Sequence, residues 1–184
     1  MKTKPALWIT TTAIFFALLI AVQAVATVLV PAPLTQYVTG PLVNLILILS
    51  VMLCGLSSGL TIAVISPILA HFIAIGPPLP IVPFIMLGNT VFVLAWALIG
   101  KKTFVNKPFT RIITLITAAV CKFIALYFSV VHIAVPFFLS NHPKASALSA
   151  MFSFPQLFTA LAGGVLAVIL LPALEKIELF GNNN

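Results

Sequence analysis

The sequence predicts an all-α integral membrane protein in which six transmembrane helices form one bundle. Three observations support this fold class. Hydrophobic residues make up 62% of the 184 residues. Charged residues make up only 6%, against about 25% in an ordinary soluble domain. The apolar residues also form six runs, each close to the roughly 20 residues that a helix needs to cross a bilayer.

The first run is also the segment that most resembles a secretory signal peptide. It follows Lys2 and Lys4, and it contains small residues at Ala24 and Ala26 in the pattern of a cleavage site. The apolar region of a signal peptide, however, is about 7 to 15 residues long, and this run is longer than about 20. We therefore expect it to be retained as the first transmembrane helix.

Short links rich in proline and glycine separate the six runs. Pro31 and Pro33 end the first run, and the sequence GLSSG at 55–59 joins the second and third runs as a tight antiparallel hairpin. The sequence GPPLP at 76–80 precedes the fourth run. The chain 1–184 is thus predicted to be a single transmembrane domain with spans at approximately 6–30, 38–54, 60–75, 81–99, 111–137 and 154–171.

The orientation follows from the basic residues, which concentrate on the cytoplasmic side of membrane proteins. If the N-terminus lies inside, Lys144 is the one external basic residue and seven others are cytoplasmic. The seven are Lys2, Lys4, Lys101, Lys102, Lys107, Arg111 and Lys176. We therefore predict that both termini are cytoplasmic and that the links after the first, third and fifth runs lie outside.

Lys122 lies within the fifth run, in the sequence TAAVCKFIALYFSVV. On a helical wheel at about 100° per residue it falls in an arc of small and polar residues, opposite a bulky apolar side. The small and polar arc contains Thr114, Ala118, Lys122, Ala125, Ser129 and His132, and the bulky side contains Ile113, Val120, Ile124, Tyr127 and Val131. Lys122 is therefore predicted to face protein and not lipid.

The depth of Lys122 makes it a candidate ligand contact. It lies about 16 Å along the helix from Arg111, near the membrane midplane, where a lysine is unfavourable by about 3 kcal/mol. The two acids of the chain, Glu175 and Glu178, lie near the cytoplasmic end and cannot pair with it. An anionic or carbonyl-bearing ligand would supply the missing partner. The alternatives are an uncharged amine, or an ammonium that bonds helix carbonyls as a purely structural device.

No set of catalytic residues is recognisable. The predicted spans hold no acid, and the sequence contains no phosphate-binding loop, no zinc-protease motif and no Ser-His-Asp arrangement. Cys54 and Cys121 lie in apolar runs and are interpreted as small buried hydrophobic residues. The basic residues are too scattered to form a groove for nucleic acid. We therefore expect no enzymatic activity, no metal, no cofactor and no nucleic-acid partner.

A stripe of small residues marks the first run. Ala13, Ala17 and Ala21 recur every four residues, which allows another helix to approach closely, either within the chain or from a partner. This stripe, the six helices, the internal N-terminus and the hairpin sequence GPLVNLILILSVMLCGLSSGL at 40–60 together resemble the S component of energy-coupling factor (ECF) vitamin transporters. The S component is the substrate-binding membrane subunit, and the resemblance covers nearly the whole chain.

The resemblance implies a multi-pass protein in the lipid bilayer of a prokaryotic cell membrane. It would capture a vitamin or related small molecule near the outer face for ATP-driven uptake. Its partners would be a transmembrane coupling subunit, docked on the alanine stripe, and two cytoplasmic ATPase subunits. The competing interpretation is a small membrane enzyme or assembly subunit with no transport role. The site residues that the resemblance selects are Gln36, Tyr37, His71, Asn89, Lys122, Ser129, His132 and Gln156.

Overall fold

The computed structural model describes residues 5–100 and 108–174, and every regular element within these ranges is helical. A 3₁₀ turn at Leu79–Ile81 precedes the fourth helix, and π-helical segments follow the fourth and fifth helices at Trp96–Gly100 and Tyr127–Ala134. The predicted all-α bundle is therefore confirmed. The α-helices are α1 Pro5–Leu29, α2 Ala32–Cys54, α3 Leu56–Phe72, α4 Val82–Ala95, α5 Pro108–Leu126, α6 Val135–Phe138, α7 Ala145–Met151 and α8 Phe154–Leu174.

Several of these helical stretches can cross a membrane. In the described part of the chain, five are long and apolar enough: Ala6–Leu29, Leu34–Cys54, Leu79–Gly100, Thr110–Phe138 and Ala145–Leu174. α3 is apolar but has only 17 residues, which reach about 25 Å at 1.5 Å per residue. These helices form one bundle, so the chain is a multi-pass membrane protein.

Two helix ends differ from the predicted spans. The second span was predicted to begin at Val38, whereas α2 begins at Ala32, with a proline in its first turn. Proline suits that position because it lacks an amide hydrogen that would otherwise stay unbonded. The third span was predicted to reach Ile75, whereas α3 ends at Phe72. The following residues turn away from the helix axis, and Ala74 adopts a positive φ of 59°, which a continuing helix does not allow.

α2 is the central helix of the bundle. It packs against α1, α3 and α8, and residues 44–51 are buried around the whole circumference of the helix. A helix that is enclosed on all sides must be apolar nearly all round, and the core around it includes Leu47, Ile48, Phe92 and Trp96. Asn44 begins this buried stretch, and its polar side chain therefore needs a hydrogen-bonding partner inside the protein.

Glycine allows α8 to lie directly on α2. A Cβ atom on Gly163 would be 2.5 Å from the carbonyl oxygen of Pro41 and 2.6 Å from the Cβ of Asn44. Both distances are far inside van der Waals contact, so no larger residue fits without moving one of the helices. This close approach is typical of small residues at helix interfaces in membranes. Gly163 thereby lets α8 lie against α2 at Pro41 and Asn44.

A π-helical segment changes the face that the fifth transmembrane stretch presents to its neighbours. Its wider turns advance less per residue than the 100° of an α-helix, so the helical wheel loses register after Leu126. Val130 and Ala134 are fully buried, whereas His132 is exposed. The wheel placed His132 on the protein-facing side, and that placement is wrong for this reason.

Candidate ligand cavity

A cavity of about 330 Å³ lies at one end of the bundle. This end, which we call the cavity end, carries the turn between α1 and α2, the link 73–78 and the link 139–144. The volume is at the lower limit of the roughly 300 to 1,000 Å³ that is typical of small-molecule sites. Seven helices, the links 73–78 and 139–144 and the turn before α8 contribute to the wall or its rim: Gln23, Thr27, Thr35, Gln36, Thr39, Gly40, Val43, Asn44, Ser66, Pro67, Ala70, Ile75, Gly76, Pro77, Pro78, Ile85, Asn89, Lys122, Leu126, Lys144, Leu148, Met151, Phe152 and Gln156.

Lys122 is the buried charged residue of this cavity. Its side chain is only 3% exposed, and Nζ donates hydrogen bonds to Oδ1 of Asn44 at 2.5 Å and to Oδ1 of Asn89 at 2.8 Å. Nζ also lies 5.0 Å from the centroid of the Phe92 ring, within the distance at which a cation is attracted to an aromatic face. Three helices, α2, α4 and α5, therefore position one amino group at the wall of the cavity.

The charge of this amino group has no counter-ion within the described residues. No aspartate or glutamate occurs in 5–100 or 108–174, and the partners of Lys122 are two neutral amides and an aromatic ring. A second cation, Lys144, lines the cavity from the end of the link 139–144. The described cavity wall thus has two lysine side chains and no acid, which favours an acceptor-rich or anionic guest.

Four of the residues that the resemblance selects meet at the cavity. Gln36, Asn89, Lys122 and Gln156 line it from α2, α4, α5 and α8 respectively. Gln156 is 5% exposed, and its Nε2 donates to the carbonyl oxygen of Met151 at 3.3 Å, so its amide is partly held by the end of α7. The fold thus brings four residues that are far apart in the sequence to the same cavity.

The other four selected residues do not line the cavity. Tyr37 is 52% exposed on the outer side of α2, and the hydroxyl of Ser129 donates to the carbonyl oxygen of Ala125 in its own helix at 2.5 Å. The ring of His132 packs edge-on against Tyr127 and beside Phe128 on the exposed surface. The fourth, His71, contacts the link 73–78, which contributes to the cavity wall.

His71 holds the link 73–78 in place. Its Nδ1 lies 3.0 Å from the carbonyl oxygen of Pro77. Because a carbonyl oxygen can only accept a hydrogen bond, Nδ1 must carry the hydrogen and donate it. Residues 75–78 of the link line the cavity. His71 is therefore placed to fasten a wall segment and not to contact a guest directly.

Several residues of the cavity were not selected from the sequence. Asn44 is the most important, because its amide oxygen is one of the two that bind Lys122. A signal was present, since Gln36, Gly40, Val43 and Asn44 repeat at helical spacing and all line the cavity from one face of α2. The others that were missed are Gln23, Thr27, Thr35, Thr39, Ser66 and Lys144.

The alanine stripe of α1 is not used for packing within the described part of the chain. Ala13, Ala17 and Ala21 are all exposed, whereas Leu19 and Ala26 on another face are buried against the bundle. Hydrogen bonds fasten α1 to α3 on that buried side, from Thr12 to Ser58 at 2.9 Å and from Trp8 to Ser57 at 3.1 Å. The stripe therefore remains free for lipid or for a partner.

The described residues also offer no cluster of three or more His, Cys, Asp or Glu side chains that could hold a metal ion. Cys54 and Cys121 are both free and half-buried on different helices. The polar groups that converge at the cavity are amides, hydroxyls and amino groups, which are suited to hydrogen-bonding an organic molecule.

Comparison with known protein families identifies a match over most of the chain. A family model described as the substrate-specific component of the ECF transporter matches residues 9–175. No curated protein and no solved structure matches the chain. The matched range includes α2 to α8 and nearly all of α1, and with them the whole cavity wall.

Proposed function

Because the chain belongs to the family of ECF transporter substrate-specific components, we propose that its cavity captures a vitamin or a related small molecule, anionic or carbonyl-bearing, for ATP-driven uptake by partner subunits. Membership of this family makes the chain a substrate-binding transporter subunit and not an enzyme. The interpretation as a membrane enzyme or an assembly subunit is thereby excluded. The substrate and the details of the partner complex belong to the proposal.

The observation that carries the proposal is the amino group of Lys122 at the cavity wall. It is buried, bound only by neutral groups, and accessible from the cavity. Leaving a charge in such a place is costly, and a guest that brings an acceptor or a negative charge would reduce that cost. The earlier alternative of a structural lysine that bonds helix carbonyls receives no support, since the hydrogen bonds go to two side-chain amides from other helices.

The cavity end is proposed to face the outside of the cell. The basic residues of the sequence support this orientation, because Lys144 belongs to the cavity end while Arg111 begins α5 at the opposite end. The other basic residues outside the membrane, at positions 2, 4, 101, 102, 107 and 176, lie outside the described residues. With this orientation, the site collects its substrate before any ATP-driven step.

The exposed alanine stripe of α1 is proposed as the contact with a transmembrane coupling subunit, which two cytoplasmic ATPase subunits would drive. Association with an energising module follows from the family. The choice of α1 is supported by the exposure of Ala13, Ala17 and Ala21 on a helix whose other side is fastened to α3. A flat surface of small side chains lets a partner helix approach closely in the membrane.

The test of this function is to identify what the protein carries. Wild-type protein and the Lys122→Met variant are purified from cells grown in a vitamin-rich medium, and bound small molecules are identified by mass spectrometry. We expect one compound in near-stoichiometric amount with the wild type and little with the variant. The same compound should accumulate in proteoliposomes only when an ECF module and ATP are present. ATP-independent accumulation, or no bound compound in either protein, would contradict the proposal.

A further inference from the structure

We infer that the inner end of the cavity is a cradle for a single carboxylate group, formed by the ammonium of Lys122 and the side-chain NH₂ groups of Asn44 and Asn89. This inference rests on the proposed function, because it names the class of substrate that the same cavity would take. It is carried by the orientation of the two amides, the charge of the site and the volume available.

The orientation of both amides is dictated by Lys122. An ammonium has three hydrogen-bond donors and no acceptor, so each asparagine must turn its oxygen toward Nζ, as Oδ1 of Asn44 and Oδ1 of Asn89 do. Each NH₂ group is consequently directed away from the ammonium. Neither NH₂ group donates to a protein atom among the described residues, although both side chains are at least 97% buried and line the cavity.

The cradle therefore offers more free donors than acceptors. The third ammonium hydrogen and the hydrogens of the two NH₂ groups are available, while each amide oxygen already accepts one hydrogen bond from Nζ and keeps one lone pair. An ionised carboxylate is a group that only accepts, through two oxygens. A hydroxyl, an amine or an amide of a guest would bring donors of its own, and these match the excess of donors in the cradle less well than a carboxylate does. Hydrogen bonds from donors to a charged acceptor are also stronger than those to a neutral one.

Charge decides between a carboxylate and the other acceptors. A neutral carbonyl would leave the Lys122 ammonium without a counter-ion, and a cationic guest would meet both Lys122 and Lys144. A phosphate carries a charge of about −1.5 to −2 at neutral pH and would need both lysines of the cavity, whereas the inner end holds Lys122 alone and Lys144 is exposed at the end of a link. A carboxylate, with one negative charge, neutralises Lys122 without leaving an excess.

The rest of the cavity limits the size and nature of the molecule. Its volume of about 330 Å³ is at the lower limit of small-molecule sites, which favours a small guest. Val43, Ile85 and Leu126 give the wall an apolar part, and Gln36 and Gln156 add amides. The inferred ligand is thus a small monocarboxylate with a partly apolar body.

The test compares acids with uncharged compounds of the same shape. Benzoate, cyclohexanecarboxylate and 3-phenylpropanoate, each beside its primary amide, are titrated into detergent-purified protein, with thermal melting and calorimetry as readouts. Phenyl phosphate and benzylammonium represent the two other charge classes. We expect at least one acid to bind about 30-fold or more tightly than its amide, the lower range for losing one side of a buried charged pair.

An internal carboxylate should replace the ligand. The Asn89→Asp variant places a negative charge beside Lys122 with almost no change of shape, so it should raise the melting temperature of the empty protein and abolish the preference for acids. Asn141→Asp is the matched control, because it makes the same charge change at an exposed position in the link 139–144. That variant should keep the preference.

The outcomes separate this inference from the proposed function. Equal binding of acid and amide, tighter binding of phenyl phosphate, or binding of benzylammonium would overturn the carboxylate cradle, as would an unchanged acid preference in Asn89→Asp. None of these results would remove a co-purifying compound or ATP-dependent uptake. Failure of uptake with the acid preference intact would instead overturn the transport proposal and leave the cradle in place.

Discussion

Lys122 and Asn44 are 78 positions apart in the chain, and the Nζ atom of one lies 2.5 Å from the Oδ1 atom of the other. The contact crosses from α5 to the central helix α2. It is completed by Asn89 on α4, so three helices share one charged hydrogen-bond network. Removing one member of such a network affects the others as well. Substitutions of these residues can therefore test the role of the site.

Replacing Lys122 by methionine should separate binding from folding. Lys122→Met keeps an unbranched stem and removes the charge, so ligand affinity should fall by about 2 to 4 kcal/mol, or roughly 30-fold to 1,000-fold. The melting temperature should change little, because removal of the buried charge is opposed by the loss of the hydrogen bonds to Asn44 and Asn89. Calorimetry with the co-purified compound and a thermal melt measure the two effects. Unchanged affinity with a collapsed melting temperature would mean that Lys122 is structural.

Lys144 offers the matched comparison. It also lines the cavity, but it is exposed at the end of a link, where water screens its charge. Lys144→Met should therefore weaken binding by less than about tenfold, and the loss should shrink further as salt is added.

Gly163 should be intolerant of even one added methyl group. In Gly163→Ala the new Cβ would meet the backbone oxygen of Pro41 and the Cβ of Asn44, so α8 must move away from α2. We expect a destabilisation of about 1 to 3 kcal/mol and weaker ligand binding, because Asn44 moves with the helix. Gly164→Ala is the control, since its Cβ would meet the end of the Leu115 side chain, which can rotate. Equal effects of the two variants would contradict this account.

The hydrogen bond from His71 to Pro77 should slow ligand release. His71→Leu removes the donor that fastens the link 73–78, so the dissociation rate should rise while the melting temperature changes little. Stopped-flow displacement of a bound ligand measures that rate. His132→Leu should leave the rate unchanged, because the ring of His132 packs on Tyr127 and Phe128 away from the cavity. Faster ligand dissociation in His132→Leu but not in His71→Leu would contradict this account and indicate that His132 belongs to the binding site.

A bulky residue in the alanine stripe should block assembly without harming the pocket. Ala17→Trp enlarges an exposed position on α1, so complex formation with an ECF module and uptake should be lost while ligand binding stays near the wild-type value. Leu18→Trp, on an exposed face with a side chain that is already large, should still assemble. Co-purification with the module is the measurement. Lost binding with the complex preserved would indicate packing within the chain.

The orientation can be checked by cysteine labelling in cells. Position 106 lies outside the described residues. A cysteine in the Asn106→Cys variant should react with a membrane-impermeant probe only after the membrane is permeabilised. A cysteine at Asn141, in the link at the cavity end, should react from outside. Reaction of the Asn106 position in intact cells would invert the topology.

The sequence by itself determined the class of the protein and the exceptional position of Lys122. Apolar runs of about 20 residues in a chain with so few charges indicate transmembrane helices, and helical periodicity places Lys122 on the protein side of the fifth stretch. Both are local properties, which neighbouring residues in the chain decide. The same reasoning exposed the alanine stripe of α1 as a surface for close approach, without deciding what approaches it.

The partners of Lys122 were decided by the tertiary structure. Asn44 and Lys122 meet because the bundle brings α2, α4 and α5 together at one point, and no local pattern encodes a contact between such distant segments. His132 lost its predicted place because the chain winds as a π-helix after Leu126, which shifts every later residue on the wheel. A helical wheel assumes the same rotation per residue along the whole helix. Packing against neighbouring helices decides where the helix changes to π-helical winding and that rotation changes.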